Sequence, residues 1–339
     1  MRVVQFYLVI IFVVFSINLW GQDMHFSQFY NNPLNLNPAQ AGLFDGSHRF
    51  TANYRGQWFQ VPVPYITVCA SYDTRLGLGR RKGDYIGLGL TANYDQAGDS
   101  KLSNSEVLGS FAVAKQINRN QYLIGAAQVG YGQRRFNPGA LTFDNQFDGE
   151  QFRSVLSSRE TFINTTVSHF SFNAGLSYVA NFGKNNSFQL GAAMYHINQP
   201  VWAFNPRRDD ARLSIRYSIY SNAIISVTNK LDLLPMFQYQ SQGAYQELVA
   251  GGLVRHHLNK RKSQESSVSA GITHRLGDAT IAQGFICLKG WKFGVSYDIS
   301  TDPNIVKLTD SQGAIEFCAS YIIGHKINQS KRAMKCPTF

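Results

Sequence analysis

After its first fifteen residues the chain contains no long apolar run. No later stretch approaches the roughly 18 uncharged apolar residues that a membrane-spanning helix needs. Amphipathic helical periodicity is missing as well, although a water-soluble protein of 339 residues would usually show it. If the chain crosses a membrane, we therefore expect a closed β-barrel, the other structure that pairs every backbone polar group within lipid.

Cysteine and histidine are too few and too scattered to form a recognisable chemical site. The cysteines stand singly, without the spacing of a metal site or of a disulfide framework. They are Cys69, Cys287, Cys318 and Cys336. His256 and His257 are neighbours in a strand pattern and should point to opposite faces. No acid, base and nucleophile fall on one face, so the sequence predicts no enzyme, no metal site and no cofactor.

The main positive feature is an alternation of apolar and small or polar residues between His48 and His325. From Phe170 to Phe182 every even position is aromatic or aliphatic, and every odd position except Val179 is Ser, Asn or Gly. Such alternation is typical of a barrel strand with one face on lipid and the other on water. The predicted fold is all-β, a transmembrane antiparallel up-and-down β-barrel of about 14 strands.

The alternation divides the chain into fourteen predicted strands. They cover residues 48–59, 64–74, 84–96, 103–116, 120–132, 167–181, 185–198, 211–227, 231–242, 244–258, 265–276, 279–289, 290–301 and 311–325.

The first 21 residues read as a secretory signal peptide. Arg2 is followed by an uncharged apolar run from Val3 to Phe15 and a short polar stretch. We expect residues 22–47 to form a periplasmic or plug segment, residues 48–325 an outer-membrane barrel and residues 326–339 a periplasmic tail. Both termini of the mature chain are thus expected on the periplasmic side of a bacterial outer membrane.

The charge is strongly basic, with a formal net charge of +11. In an exported protein such a charge favours anionic polymers and outer-membrane lipid, including lipopolysaccharide, as partners. Nucleic acid is not an expected partner in that compartment.

The lengths of the connections indicate which side each faces. The two longest connections, residues 133–166 and 199–210, follow odd-numbered strands, and so does the last, residues 302–312; this puts all three outside the cell when the termini are periplasmic. The first of these contains a carboxylate-rich turn that we take as a candidate external loop. Its residues are Asp144, Asn145, Asp148 and Glu150.

Several short turns after even-numbered strands are basic and predict a positive periplasmic rim. The residues are Arg80, Arg81, Lys82, Lys260, Arg261 and Lys262. These charges either keep exposed turns soluble or dock an acidic partner or the cell wall, and the sequence leaves both readings open.

The segment before the first strand is rich in aromatic residues and Asn-Pro steps. Because a residue before proline is pushed towards extended geometry, we expect a kinked ribbon rather than a helix. Its aromatic side chains need a surface, either the barrel interior, as a plug, or a partner. The candidate contact residues are Phe26, Phe29, Tyr30, Pro33 and Pro38.

Charged residues within the strand patterns lie opposite apolar positions and are predicted to face the lumen. They are Arg216, Glu247, Arg255, Lys292, Asp298 and Glu316. Paired with one another they would close the interior, and left apart they would line a passage.

Several stretches along the mature chain match the sequence pattern of one known family, most specifically the opening from Gln22 to Gly42. The other stretches are Tyr54-Arg55-Gly56-Gln57-Trp58, Ser71-Tyr72-Asp73, Asn137-Pro138-Gly139-Ala140-Leu141, Phe143-Asp144-Asn145-Gln146-Phe147, Tyr195-His196-Ile197-Asn198-Gln199-Pro200, Gly294-Val295-Ser296-Tyr297-Asp298 and Cys336-Pro337-Thr338-Phe339. Together they resemble the PorP/SprF family of type IX secretion membrane proteins. Met24, His25 and Thr338 depart from the family pattern, which affects the choice of partner rather than the fold.

The resemblance implies a non-catalytic outer-membrane component of the type IX secretion and gliding machinery of the Bacteroidota. Its implied partners are periplasmic and outer-membrane components of that system and a secreted, adhesin-like cargo protein, whose secretion or surface attachment it would assist. The alternative is an outer-membrane transporter of solutes or hydrophobic compounds, of the 14-stranded fatty-acid-transporter kind, because barrels of that kind have a similar size and an N-terminal plug.

Overall fold

The chain folds as a closed, fourteen-stranded antiparallel β-barrel. The computed structural model describes residues 23–58, 65–78, 83–153, 155–183, 185–205, 211–259, 266–303, 306 and 312–324. The strands are β1 His48–Gln57, β2 Tyr65–Gly77, β3 Tyr85–Ala97, β4 Leu102–Asn118, β5 Gln121–Arg135, β6 Thr166–Phe182, β7 Asn186–Tyr195, β8 Arg216–Ser226, β9 Leu231–Gln242, β10 Tyr245–Asn259, β11 Ser266–Arg275, β12 Ala279–Leu288, β13 Trp291–Ser300 and β14 Gln312–Ile323.

Each strand pairs with its neighbours in sequence, and β1 pairs with β14 to close the barrel. At this closing seam His48 lies opposite Ile323 and Gln57 lies opposite Ala314, without a break in register. Closure leaves no unpaired strand edge, which is what a sheet requires in order to sit in lipid. The predicted barrel class and strand number are confirmed.

The alternation of side chains sets which face of each strand points outwards. In β6, Phe170, Phe172 and Leu176 are between 49% and 60% exposed, whereas Ser171 and Asn173 are no more than 4% exposed. Apolar side chains outside and polar ones inside reverse the usual arrangement of a water-soluble protein. This arrangement is that of an outer-membrane barrel, whose outer face meets lipid.

The connections divide the barrel into two unlike ends. The connections after β5 and β7, residues 136–165 and 196–215, lie at what we call the loop end, while β4 and β5 join through residues 119–120 at the opposite, terminal end. The terminal end is also where β1 begins and β14 finishes. Long connections after odd-numbered strands therefore share one end, as the sequence predicted.

Strand ends differ most from the prediction around the β7–β8 connection. We expected strands 185–198 and 211–227, but β7 ends at Tyr195 and β8 begins at Arg216. His196 and Gln199 have φ angles of 56° and 43°, so the chain turns there and cannot continue as a strand.

Among the described residues, no helix is both long enough and apolar enough to cross a membrane. The predicted signal peptide, the six basic rim residues and the tail at 326–339 lie outside the described residues.

The segment from Asp23 to Ser47, which we call the N-terminal segment, lies inside the barrel. It is built from short helical turns at Phe29–Asn31, Pro33–Leu36 and Pro38–Gln40. The expected ribbon without helical structure is therefore wrong in part. Asn37 is extended, as its place before proline predicted, but each proline stands at the first position of a new turn, where its missing N–H costs nothing.

Candidate functional site in the barrel lumen

The N-terminal segment runs along the lumen from one end of the barrel to the other. Near the loop end the backbone N–H of Asp23 donates to Gln242 Oε1 at 2.9 Å. Near the terminal end the N–H of Gly42 donates to Asp73 Oδ2 at 2.8 Å, and Ser47 leads directly into β1. The sequence placed this whole segment on the side where β1 begins, whereas Asp23 lies at the opposite end. The polar partners that draw it there come from β8, β9 and the β7–β8 connection.

The strongest attachment of the segment is at Ser27 and Gln28. The carboxylate of Glu316 accepts the backbone N–H of Ser27 at 2.6 Å and that of Gln28 at 2.9 Å. The Ser27 hydroxyl donates to Asp298 Oδ2 at 2.7 Å. Hydrogen bonds to a charged acceptor are stronger than those between neutral groups, and all four residues are buried. We call this group of contacts the Ser27 anchor.

Two arginines neutralise the carboxylates around the Ser27 anchor. Arg55 donates to Ser27 Oγ at 2.7 Å and pairs with Glu316 and Asp298. Arg275 donates to the same hydroxyl at 2.6 Å and pairs with Asp298 at 3.3 Å. A buried charge that loses its partner is strongly destabilising, so this set holds together as one unit.

The sequence analysis placed Asp298 and Glu316 in the lumen but did not single out Arg55 or Arg275. The signal was available for Arg55, since it follows the outward-facing Tyr54 in a strand pattern and must therefore point inwards. All six charged residues predicted to face the lumen do lie on its wall with polar partners.

The candidate aromatic and proline residues of the segment are all buried. Phe29 and Tyr30 pack edge to face, with ring centroids 5.4 Å apart, and Tyr30 packs against Phe285 of β12 at 5.9 Å. The Tyr30 hydroxyl donates to Gln283 Oε1 at 2.5 Å. Pro33 and Pro38 start the helical turns, while Phe26 is 6% exposed. These side chains are thus in contact with the barrel interior.

Glycines on the inner wall let the segment approach closely. A Cβ atom added at Gly175 of β6 would lie 2.0 Å from Asn37 Oδ1, and one at Gly87 of β3 would lie 2.0 Å from the carbonyl oxygen of Ala41. Neither position could carry a larger residue without moving the segment, because real Cβ contacts are never that short. The wall is therefore shaped to fit this segment.

Asparagine amides fix the middle of the segment to the wall. Asn35 and Asn93 exchange two hydrogen bonds, at 2.8 and 3.1 Å. The side chain of Asn37 donates to the backbone carbonyl of Leu176 at 2.9 Å, and Gln40 donates to the Tyr220 hydroxyl at 2.6 Å. With these bonds the segment is tied to β3, β6 and β8 as well as to the Ser27 anchor.

Several titratable residues of the segment have displaced pKa values, Asp23 and His25 among them. Burial acts to raise the pKa of Asp23, but the charges of His196, at 2.8 Å, and Arg216, at 3.3 Å, outweigh it and hold that pKa below its ordinary value. Burial, together with the positive charges of Arg55 and Arg275, holds the pKa of His25 well below its ordinary value. His25 is therefore neutral at pH 7.

The candidate external loop lies at the loop end and is largely exposed. Asp148 forms an ion pair with Arg153, and the N–H groups of Glu150 and Gln151 donate to its carboxylate at 3.0 and 2.9 Å. These backbone hydrogen bonds lower the pKa of Asp148. Asp144 and Asn145 begin a short helical turn. The structure places these four residues in two successive turns of one exposed loop and not in the lumen.

Aromatic side chains tie the two long connections of the loop end together. Phe136 packs against Phe162 and against Phe204, with centroids 5.3 and 4.6 Å apart. The guanidinium of Arg134 lies 5.0 Å above the ring of Trp202. The loop next to this cluster leaves apolar side chains in solvent: Phe147, Phe152 and Val155 are 47%, 54% and 88% exposed.

In the described part of the chain, no group of three or more His, Cys, Asp or Glu side chains is placed to hold a metal ion. Cys69, Cys287 and Cys318 are free thiols.

The sequence profile described as "Type IX secretion system membrane protein PorP/SprF" matches residues 19–321. The chain belongs to the PorP/SprF family. No curated protein matches this family member. The family and the fold are both of non-enzymatic kinds, and the PorP/SprF barrel is an outer-membrane component of type IX secretion.

Two of the solved structures with similar architecture are described as a channel and a transporter. The CymD monoaromatic hydrocarbon channel is similar with a TM-score of 0.50 and 8% identity, over 87% of this chain and 94% of that one. The P. putida toluene transporter TodX is similar with a TM-score of 0.46 and 10% identity, over 86% of this chain and 93% of that one. At such low identity the likeness to CymD concerns the fold alone.

Proposed function

We propose that this PorP/SprF barrel is a non-catalytic accessory of type IX secretion that assists the secretion or surface attachment of a specific cargo protein such as an adhesin. The observation that carries the proposal is the N-terminal segment, which occupies the lumen through the Ser27 anchor, the asparagine bonds and the close contacts at Gly87 and Gly175. Because the lumen is filled, the partners of this barrel bind at its two ends.

The loop end is the surface for cargo in this proposal. Its aromatic cluster at Phe136 gives the long connections a defined shape, and the exposed Phe147, Phe152 and Val155 offer apolar contact area. Exposed apolar patches beside polar groups are typical of protein interaction sites. The carboxylates of Asp148 and Glu150 border this patch and would favour a cargo surface with basic groups.

The terminal end is the side for the secretion machinery. With a secretory signal at residues 1–21 and both barrel termini periplasmic, the basic turns and the tail face periplasmic partners, and the outer face contacts lipid and lipopolysaccharide. These placements are part of the proposal.

The test is a complementation experiment in a strain that lacks the gene. The wild-type chain should restore surface display of the cargo adhesin encoded beside it, measured with an antibody on intact cells. A variant with Phe152→Ser and Val155→Ser should reach the outer membrane in normal amounts but lose most of the display. The control is Val227→Ser, a similar change at an exposed site of the terminal end. Normal display in the gene deletion would remove the proposal.

The second candidate is a transporter of hydrophobic compounds, a role named in the titles of the similar CymD and TodX structures. The filled lumen disfavours it in the conformation described, because an open path would need the Ser27 anchor to break. Uptake of toluene by liposomes that contain the purified chain discriminates the two. A selective flux at a rate above that of empty liposomes would favour transport.

A further inference from the structure

A cavity of about 140 Å³ lies between the N-terminal segment and the barrel wall, in the terminal half of the lumen. Its wall comes from β1, β7, β8, β10, β11, β14 and the β12–β13 hairpin, and its floor from the segment itself. At about 30 Å³ per water molecule it has room for roughly five waters, which suits a small functional group rather than a whole drug-sized ligand. None of the contacts that anchor the segment at Ser27 lies in it.

The charge of the cavity lining is all of one sign. Arg49, Arg255 and Lys292 line it, and no aspartate or glutamate does so among the described residues. Arg49 also pairs with Asp73 and Arg255 with Asp232, at 2.9 and 2.8 Å, but both carboxylates lie outside the lining. Three cationic groups around one small space make a positive potential that attracts an anion.

Two buried polar atoms in the lining have no hydrogen-bond partner. They are Thr51 Oγ1 and Asn222 Oδ1, on residues that are 6% and 3% exposed. A buried polar atom without a partner costs free energy and calls for an explanation, of which a bound water or ion is one. Since Asn222 Oδ1 accepts only, the group that satisfies it must donate a hydrogen bond.

The segment contributes polar residues, Asn31 and Gln40, as well as apolar ones to the lining. Leu36 and Leu43 face the cavity from the segment, and Ile322 faces it from β14. Gly290, in the turn between β12 and β13 at the terminal end, also lines the cavity. A ligand would lie with its charged group towards Lys292 and an apolar stem against the leucines.

We propose that this cavity binds a single oxyanion carried on a short apolar stem, such as the carboxylate of a glutamate side chain whose peptide N–H donates to Asn222. Lys292 and Arg255 hold the oxyanion, and Thr51 supplies a further hydroxyl contact. The site is separate from the cargo surface at the loop end, so its failure leaves the proposed function untouched.

The test is calorimetric titration of the purified full chain in detergent micelles with three small probes. They are N-acetyl-glutamate N-methylamide, the corresponding glutamine compound and inorganic phosphate. Either anion should bind at least about tenfold more tightly than the glutamine compound, because a hydrogen bond to a charged group contributes more than a neutral one. Tighter binding of the glutamate compound assigns the group to a peptide carboxylate, and tighter binding of phosphate assigns it to a phosphate group.

Three variants test which residues of the cavity bind the anion. Lys292→Gln keeps a donor for Asn31, which Lys292 contacts at 2.6 Å, and should weaken anion binding at least about tenfold. Asn222→Leu removes the unpartnered acceptor and should weaken the glutamate compound while leaving phosphate unchanged. Lys230→Gln, the same change at an exposed residue of the same end, should alter neither. Folding of each variant is checked by its heat-dependent shift in gel migration.

Two results would overturn the proposal. One is the absence of measurable binding for both anions to the folded wild-type chain. The other is equal anion binding by wild type and Lys292→Gln, which would show that the anion sits elsewhere on this basic protein.

Discussion

The Ser27 anchor can be weakened from the wall side by replacing one oxygen of one carboxylate. Glu316 accepts backbone N–H groups of Ser27 and Gln28 through its two oxygens and also pairs with Arg55. In Glu316→Gln the charge is lost, and the new NH₂ group must face either the N–H of Gln28 or both the N–H of Ser27 and the Arg55 guanidinium. One charge-assisted hydrogen bond then becomes a contact between two donors.

The expected magnitude follows from those contacts. A hydrogen bond to a charged group contributes about 1.5–3 kcal/mol, and the bond that remains loses its charge assistance. We therefore expect the docked state of the segment to lose about 3 kcal/mol. Because 1.4 kcal/mol is a factor of ten, opening of the segment should become roughly a hundredfold more frequent.

Hydrogen exchange followed by mass spectrometry measures this opening. The amides of residues 23–36 should exchange roughly a hundredfold faster in Glu316→Gln, while those of the strands keep their rates. Glu106→Gln is the matched control, since this buried carboxylate bonds to Ser171 of the wall at 2.9 Å and not to the segment. Unchanged exchange of residues 23–36 in Glu316→Gln would refute the reasoning.

Three further predictions concern the fit, the charge and the orientation of the molecule. Gly175→Ala should lower the free energy of unfolding by about 1–3 kcal/mol, because its Cβ would meet the segment. Gly284→Ala should change that free energy little, since no atom lies within 4 Å of the added Cβ. Equal effects of the two substitutions in a circular dichroism melt would contradict the close fit. The lowered pKa of His25 means that the released segment binds more protons than the docked one. The protection of residues 23–28, measured as exchange relative to an unfolded peptide at the same pH, should therefore fall as the pH drops below about 6.5, and this dependence should vanish in His25→Gln. A short epitope inserted at the exposed Gly149 should bind antibody on intact cells. One inserted at the exposed Asn229 should bind antibody only after the outer membrane is opened. The reverse result would show that the barrel sits in the membrane with the opposite orientation.

The barrel could be predicted in detail because the residue pattern that specifies each strand lies within that strand. Each strand alternates with a period of two, and a one-residue error would turn Phe170 and Phe172 into the lumen, so the pattern itself fixes register and facing. Strand ends were less certain where local conformation decides them. Strand β7 ends before His196 because this residue has a positive φ, and a histidine in the sequence does not predict a positive φ.

The path of the N-terminal segment could not be predicted from the sequence. Its contacts join residues far apart in the chain, such as Asp23 with Gln242 and Ser27 with Glu316. The aromatic content indicated that the segment needs a surface, but the direction in which it crosses the lumen depends on where its polar partners meet in three dimensions. Glycines at inward positions, such as Gly175, indicate that another part of the chain or a ligand lies close to the wall, but the sequence does not show which.

The most direct test of a lumen filled by the N-terminal segment is electrical conductance across a planar lipid bilayer. The purified chain should insert without steady open-channel current, and a variant lacking residues 26–44 but retaining the strands should give stable, ion-conducting steps. Steady conductance of the intact chain, equal to that of the variant, would contradict the account.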